Sequence, residues 1–301
     1  NNPGGLLTQA VDICNLFLDK ETPIVNTKGK LQEWNASYKA LNPSWDNSIP
    51  LVVLINQNSA SAAEIVAGVL QDYDRATIVG QRSFGKGLVQ VTRDLPYRAK
   101  IKITTAKYYI PSGRCIQAID YSGNKDTTKQ EFKTRNGRKV NAGGGIEPDV
   151  LVGRPQANSL TQQLLKEKIF FQYARLFKLK HTSISAAANF HLTEPEFEEF
   201  VQWVKGSKFK YESPLEKQMR DVLKETQKDP LYANLTATLE KAKPEWDSSV
   251  AKELIANKKV ISALLEQEIV HHYYLKKGIN EWSFEHDPSL LKGVELISAL
   301  K

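Results

Sequence analysis

Pro50-Leu51-Val52-Val53-Leu54-Ile55-Asn56-Gln57-Asn58-Ser59-Ala60-Ser61-Ala62-Ala63-Glu64-Ile65-Val66-Ala67-Gly68 is the stretch that decides the fold. Its first third is a short unbroken apolar run, which predicts a strand buried on both faces. Ala62 to Tyr73 then has helical period, and Ala76 to Gly80 is strand-like again. Strand, helix, strand is the order of a βαβ unit, so the sheet is at least partly parallel. The two strands run side by side, and their carboxyl ends share one edge.

Working outward, Asn1-Asn2-Pro3-Gly4-Gly5 is a turn feeding a helix over Leu6 to Leu18, whose apolar residues recur on one face. Leu88 to Thr92 and Lys100 to Tyr109 alternate at period two and predict strands with one polar face. Pro111-Ser112-Gly113 ends the second of these. Arg135-Asn136-Gly137-Arg138 marks a hairpin, and Gly143-Gly144-Gly145 with Pro148 punctuates the exit from it. From Asn158 onward the pattern is helical, with start and stop signals near Ser159 to Lys180, Thr193 to Gly206, Pro214 to Gln227, Pro230 to Ala242, Glu245 to Lys277 and Pro288 to Leu300. The expected organisation is therefore an α/β region over 1–157 and an all-α region over 158–301.

Composition narrows the function classes. Of the 301 residues, 41% are hydrophobic and 25% charged, which excludes a disordered or collagen-like chain. No run approaches the roughly 18 apolar residues of a bilayer span. The net charge of +7 divides unevenly: residues 1–157 carry 20 Lys+Arg against 14 Asp+Glu, and 158–301 carry 21 against 20. The excess is dispersed, without a basic run or interleaved aromatics, so no nucleic-acid partner is expected. Two cysteines, Cys14 and Cys115, make neither a disulfide framework nor a four-ligand zinc site, and no metal or cofactor is called for. The chain opens on Asn1 and its one methionine is Met219, so a fragment of a longer protein is expected.

Chemistry concentrates where the first strand gives way to the helix. Ser61 stands at a helix N-terminus, where the Ala62 N–H and the helix dipole could hold an oxyanion forming beside it. Ser61-Ala62-Ala63-Glu64 is also an S-x-x-E capping box, and capping alone accounts for the local pattern. A serine nucleophile needs a base, yet all five histidines lie beyond residue 180, so a Ser-His-Asp triad within 1–157 is excluded. What the front region offers is Lys86 in Phe84-Gly85-Lys86-Gly87, on the turn after the second strand. A lysine can take the serine proton when it is neutral. Gly80-Gln81-Arg82-Ser83-Phe84-Gly85-Lys86 also fits the first part of a phosphate-binding loop. Gly87 stands where that loop needs Ser or Thr, and a strand follows where it needs a helix, so no nucleotide is expected.

Asn1-Asn2-Pro3-Gly4-Gly5-Leu6, Asn58-Ser59-Ala60-Ser61-Ala62-Ala63-Glu64-Ile65-Val66-Ala67-Gly68, Leu70-Gln71-Asp72, Gly80 to Gln90, Thr105 to Arg114 and Gly145-Ile146-Glu147-Pro148-Asp149 appear in order. Together they resemble the carboxyl-terminal processing, or tail-specific, proteases, which are serine peptidases with a serine/lysine dyad. The resemblance implies a Clp peptidase/crotonase-like spiral core, here lacking its first strands and the upstream PDZ domain, followed by a helical extension. It implies that Ser61 is the nucleophile, Lys86 the general base and Gln90 the residue that orients the lysine. Residues four apart in a strand are about 13 Å from one another, so a Lys86–Gln90 contact requires a bent backbone, which Gly85 and Gly87 allow. The oxyanion hole would use the amides of Ala62 and Gly5, with Gly4 as the alternative to Gly5.

The expected activity is ATP-independent cleavage of proteins near their C-termini through an acyl-enzyme, with substrates held by their C-terminal tails. The helical region is expected to serve adaptor binding or self-association, and the site of action is expected to be the periplasm or cell envelope. The competing readings are a catalytically silent peptide-binding or scaffold protein, and an acyl-CoA enzyme of the crotonase superfamily.

Overall fold

The computed structural model describes residues 1–118, 130–153, 157–246 and 250–299. The chain divides into two compact units: Asn1–Gly153 with the segment from Pro288 onward, and Arg154–Asp287.

In the first unit, β3 (Val52–Ile55), α2 (Ala62–Asp72) and β4 (Thr77–Gly80) follow α1 (Leu7–Asn15), β1 (Pro23–Gly29) and β2 (Ala36–Lys39). β3 and β4 pair in parallel, Val52 opposite Thr77 and Ile55 opposite Gly80. β9 (Val150–Leu151) adds in parallel on the other side of β4. The strand-helix-strand reading is thus realised, and both carboxyl ends lie on one edge. Gly80 is required there: its φ is +126°, and a Cβ would stand 2.1 Å from the Ile55 carbonyl oxygen.

A second sheet, antiparallel, has the order β2, β1, β6 (Lys100–Tyr109), β5 (Leu88–Asp94). β7 (Glu131–Lys133) and β8 (Lys139–Asn141) form the expected hairpin, with Gly137 at φ +83° in its turn. Ile65, Leu70, Ile78, Ile116 and Ile146 are buried in the core between these elements. Fully burying a side chain of this size contributes about 1.5–3 kcal/mol.

β3 is less fully buried than expected: Ile55 lies in the core, but Leu54 stays 43% exposed, because β3 is an edge strand and short sequence runs do not encode sheet order. The last helix joins the first unit. α10 (Pro288–Ser298) packs on β3 and β4 in the first unit. Gly293 permits the approach, because a Cβ there would meet Leu54 and Val52 side-chain carbons at 3.2 and 3.3 Å.

The second unit is helical: α3 (Ser159–Lys166), α4 (Ile169–Lys180), α5 (Glu194–Gly206), α6 (Pro214–Thr226), α7 (Ala233–Trp246), α8 (Val250–Ala256) and α9 (Lys258–His286). The helix expected over Ser159–Lys180 breaks at Lys168, which adopts φ +56°. The one expected over Glu245–Lys277 crosses 247–249, which lie outside the described residues. Within that span, Asn257 separates α8 from α9. An aromatic core closes the unit, with Tyr173 edge-on to Phe200 at 5.0 Å and Phe170 stacked on Phe200 at 6.0 Å.

α9 is not one straight rod. Leu275 has φ 55° and ψ −151°, and Glu266 and His286 approach within 3.9 Å across it. Twenty residues of straight helix would separate them by about 30 Å. The helix therefore reverses at Leu275, and Gly278 makes room on the inside, where a Cβ would lie 2.2 Å from Tyr274 Cβ. No described helix is long and apolar enough to cross a membrane.

Candidate active site

The loops after β3 and β4 meet at a cavity of about 300 Å³ whose lining includes Gly5, Ser61, Ala62, Lys86 and Gln90. All five residues singled out from the sequence therefore reach one space. Ser61 is the N-cap of α2 with φ 59° and ψ −122°, a conformation that costs a non-glycine residue about 1–3 kcal/mol. Ser61 and Glu64 occupy the two ends of the expected capping box. Glu64 Oε2 accepts the Ser61 N–H at 2.8 Å, and the Glu64 N–H donates to the Ser61 carbonyl at 2.8 Å. The Ser61 side chain faces the Glu64 N–H as the other half of the box, without a cap hydrogen bond of full geometry to hold its Oγ.

Glu64 does more than cap. It is fully buried, and the same Oε2 accepts the Lys86 N–H at 2.8 Å, while Oε1 accepts the Gly85 N–H at 2.7 Å and the Ser83 hydroxyl at 2.5 Å. Ser83 Oγ in turn accepts the Ile146 N–H at 2.6 Å. One carboxylate thus ties the serine turn to the lysine turn. Tyr108 makes the same link from the other side: its hydroxyl donates to the Lys86 carbonyl and lies 3.2 Å from the Ser61 carbonyl. Burial, with the Glu64 charge as the second cause, pushes that hydroxyl well above the usual tyrosine range, so it remains a donor.

The lysine turn needs its glycines. Gly85 has φ +87°, and a Cβ on it would stand 2.5 Å from Ala118 Cβ; one on Gly87 would stand 2.8 Å from the Gln117 N. Lys86 is half-buried, and its Nζ makes no ion pair or hydrogen bond among the described residues. No hydrogen bond joins it to Ser61 Oγ, a contact that in substrate-free enzymes often tightens only in the complex. Gln90 shares the cavity, but its Nε2 donates to Thr104 Oγ1 at 3.4 Å rather than meeting Lys86. Gln90 lies within the extended β5, and the bend supplied by the glycines ends before it.

The two candidate oxyanion donors separate cleanly. The Gly4 N–H is taken by Asn2 Oδ1 at 3.0 Å, whereas the amides of Gly5 and Ala62 have no partner among the described residues. Gly4 serves in another way. At its φ of +88°, a Cβ would lie 2.5 Å from the Ala60 carbonyl oxygen and 2.9 Å from Ser61 Cβ, so the glycine lets the first loop press against the serine turn.

Residues 1–124 match the model for peptidase family S41. Residues 160–297 match the C-terminal helical domain of probable PDZ-proteases. Over 154 residues the chain is 49% identical to a carboxy-terminal-processing protease of Bartonella bacilliformis, a match covering 51% of this chain and 30% of that protein. A probable CtpA-like serine protease of Staphylococcus epidermidis is 36% identical over 162 residues, covering 53% and 28%. Among solved structures, the photosystem II D1 C-terminal processing protease is 31% identical, with 50% of this chain and 32% of that one covered at a TM-score of 0.39. The chain spans less than a third of the length of these relatives. The two matched segments correspond to the α/β and all-α halves of the chain.

Sequence reasoning treats Glu64 only as a cap and gives Tyr108 no role. The S-x-x-E spacing exposes the first half of the glutamate's work. Its bonds to the Ser83–Lys86 turn join residues about twenty positions away, which no local pattern encodes.

Proposed function

We propose that this chain is the catalytic portion of an ATP-independent endopeptidase that cuts proteins near their C-termini with a Ser61/Lys86 dyad. The observation that carries the reading is the shared cavity. A strained serine at a helix N-cap, a lysine whose Nζ has no partner among the described residues, and two amides likewise unpaired there, Gly5 and Ala62, line the same space.

In this mechanism neutral Lys86 Nζ accepts the Ser61 proton as Oγ attacks the scissile carbonyl carbon. The amides of Gly5 and Ala62 hold the oxygen that becomes negative, each worth about 3–4 kcal/mol at the transition state. Collapse of the tetrahedral intermediate breaks the C–N bond, and the lysine proton goes to the departing amine. Water, deprotonated by the same lysine, then cleaves the ester and restores Ser61.

Among the described residues β5 is an edge of its sheet, so an extended substrate can add to it through main-chain hydrogen bonds and lead its tail past Lys86. Binding through that C-terminal tail, action in the periplasm or cell envelope, and adaptor binding or self-association through the helical domain complete the proposal, on the family resemblance.

The test is active-site labelling of the full-length protein with a fluorophosphonate or a peptidyl boronate. Wild type should label at Ser61 and cleave a tail-bearing substrate. Ser61→Ala should abolish labelling, and Lys86→Ala should lower kcat by about four orders of magnitude. Wild-type cleavage by either variant would overturn the dyad, and a folded wild type that never labels would point to the silent scaffold instead.

A further inference from the structure

The helical unit holds a cluster to which neither the peptidase reading nor the family matches give a role. Where α9 doubles back, Glu266 from its first limb meets His286 from its second, and His191 arrives from the segment before α5. His191 Nδ1 and His286 Nε2 each lie 3.9 Å from the same oxygen, Glu266 Oε2. The three candidate ligand atoms all fall within 4.8 Å of one another.

Each member is oriented for ligation. Glu266 is only 7% exposed. Its Oε1 accepts the Leu192 N–H at 3.0 Å, and no donor among the described residues takes Oε2, which is left open toward the two imidazoles. His286 Nδ1 lies 2.8 Å from the Trp282 carbonyl oxygen. A carbonyl only accepts, so Nδ1 carries a proton, which leaves Nε2, on the Glu266 side of the ring, as the nitrogen available for ligation. A backbone carbonyl fixing the tautomer of an imidazole is the arrangement that surrounds protein metal sites. Trp282 stacks on the same ring at 3.9 Å and 7°, holding its plane. His191 is mostly exposed and free to turn inward.

We propose that His191, Glu266 and His286 bind Zn²⁺. Two imidazoles and a carboxylate suit zinc, while calcium and magnesium demand more oxygen. Tetrahedral bonds of about 2.0–2.2 Å put ligand atoms about 3.3–3.5 Å apart. The 3.9 Å separations need to close by about half an ångström, and rotation of His191 supplies the larger movement between the two imidazoles. The fourth position opens on the His191 side, where water completes the shell. A simple imidazole–carboxylate pair explains the cluster less well, because at 3.9 Å neither ring bonds the oxygen. The ion would clip together three segments: the two limbs of the α9 reversal and the strap leading into α5.

The sequence called for no metal because the three residues are scattered over 95 positions, without a ligand-spacing motif. Zn²⁺ titrated calorimetrically into the full chain should bind with one-to-one stoichiometry and raise the melting temperature. Co²⁺ should give the visible absorption of a tetrahedral site. His191→Ala, at an exposed position that leaves folding alone, should weaken binding about tenfold or more and remove the thermal shift; His286→Gln should do the same where it folds. Absence of binding at about millimolar Zn²⁺, or a His191→Ala chain that binds as wild type does, would overturn the site.

Discussion

The backbone amides of Ser61 and Lys86 converge on a single oxygen, Glu64 Oε2, each at 2.8 Å. The Ser61 turn and the Lys86 turn are thus positioned by one buried charge rather than by contact between the two side chains. Glu64→Gln keeps the shape but turns an NH₂ toward two of the four donors that the carboxylate satisfies. Leaving two buried donors unpaired should cost about 2–5 kcal/mol, read by urea unfolding, and should slow fluorophosphonate labelling of the chains that remain folded. A Glu64→Gln protein with wild-type stability and labelling rate would mean that the carboxylate is not the organiser.

Tyr108 supports the carbonyl side of the same two turns. Tyr108→Phe removes the hydroxyl without changing the ring, so the loss should be modest: about 1 kcal/mol of stability and about a tenfold drop in kcat with KM held. A change confined to KM would show that the residue serves substrate binding instead.

Ser61 carries a backbone conformation that suits glycine better than any side chain. Ser61→Gly and Ser61→Ala should both be inactive, yet Ser61→Gly should be the more stable by about 1 kcal/mol, as strain relief outweighs the added chain entropy. Equal melting temperatures for the two would indicate that the serine backbone is relaxed in solution.

Burial pushes the Cys14 thiol from 9.0 up to about 12. The folded state keeps this proton while the unfolded chain releases it above about pH 9, so the associated stability is complete below pH 9 and is lost as pH rises toward 12. The slope is about 1 kcal/mol per pH unit. Urea midpoints measured between about pH 8 and 10.5 should fall more steeply for wild type than for Cys14→Ala. Parallel curves would show that the thiol is reached by solvent.

The sequence made the βαβ unit legible because its signals are local: a strand-length apolar run, a helical period, a second strand, glycines at the turns. The same locality brought Ser61, Lys86 and the amides of Gly5 and Ala62 into view, since each belongs to a short motif. What stayed hidden depends on partners far along the chain. The Leu54 face looks like any buried strand residue until sheet order makes β3 an edge. The α9 reversal falls at leucine, a good helix former, with the telltale Gly278 three residues late and easily taken for a stop signal. Gln90 sat in the right motif, but its partner Thr104 belongs to another strand.

α10 docks on β3, so a strand made early finds its cover in a segment made some 230 residues later. During synthesis, Leu54 and Val52 remain bare until the whole helical unit has emerged. A ribosome stalled anywhere between residues 154 and 287 presents the first unit with an open apolar sheet face. For this chain, vulnerability to aggregation and to quality-control proteases is therefore a matter of timing, greatest in the interval before Pro288 appears.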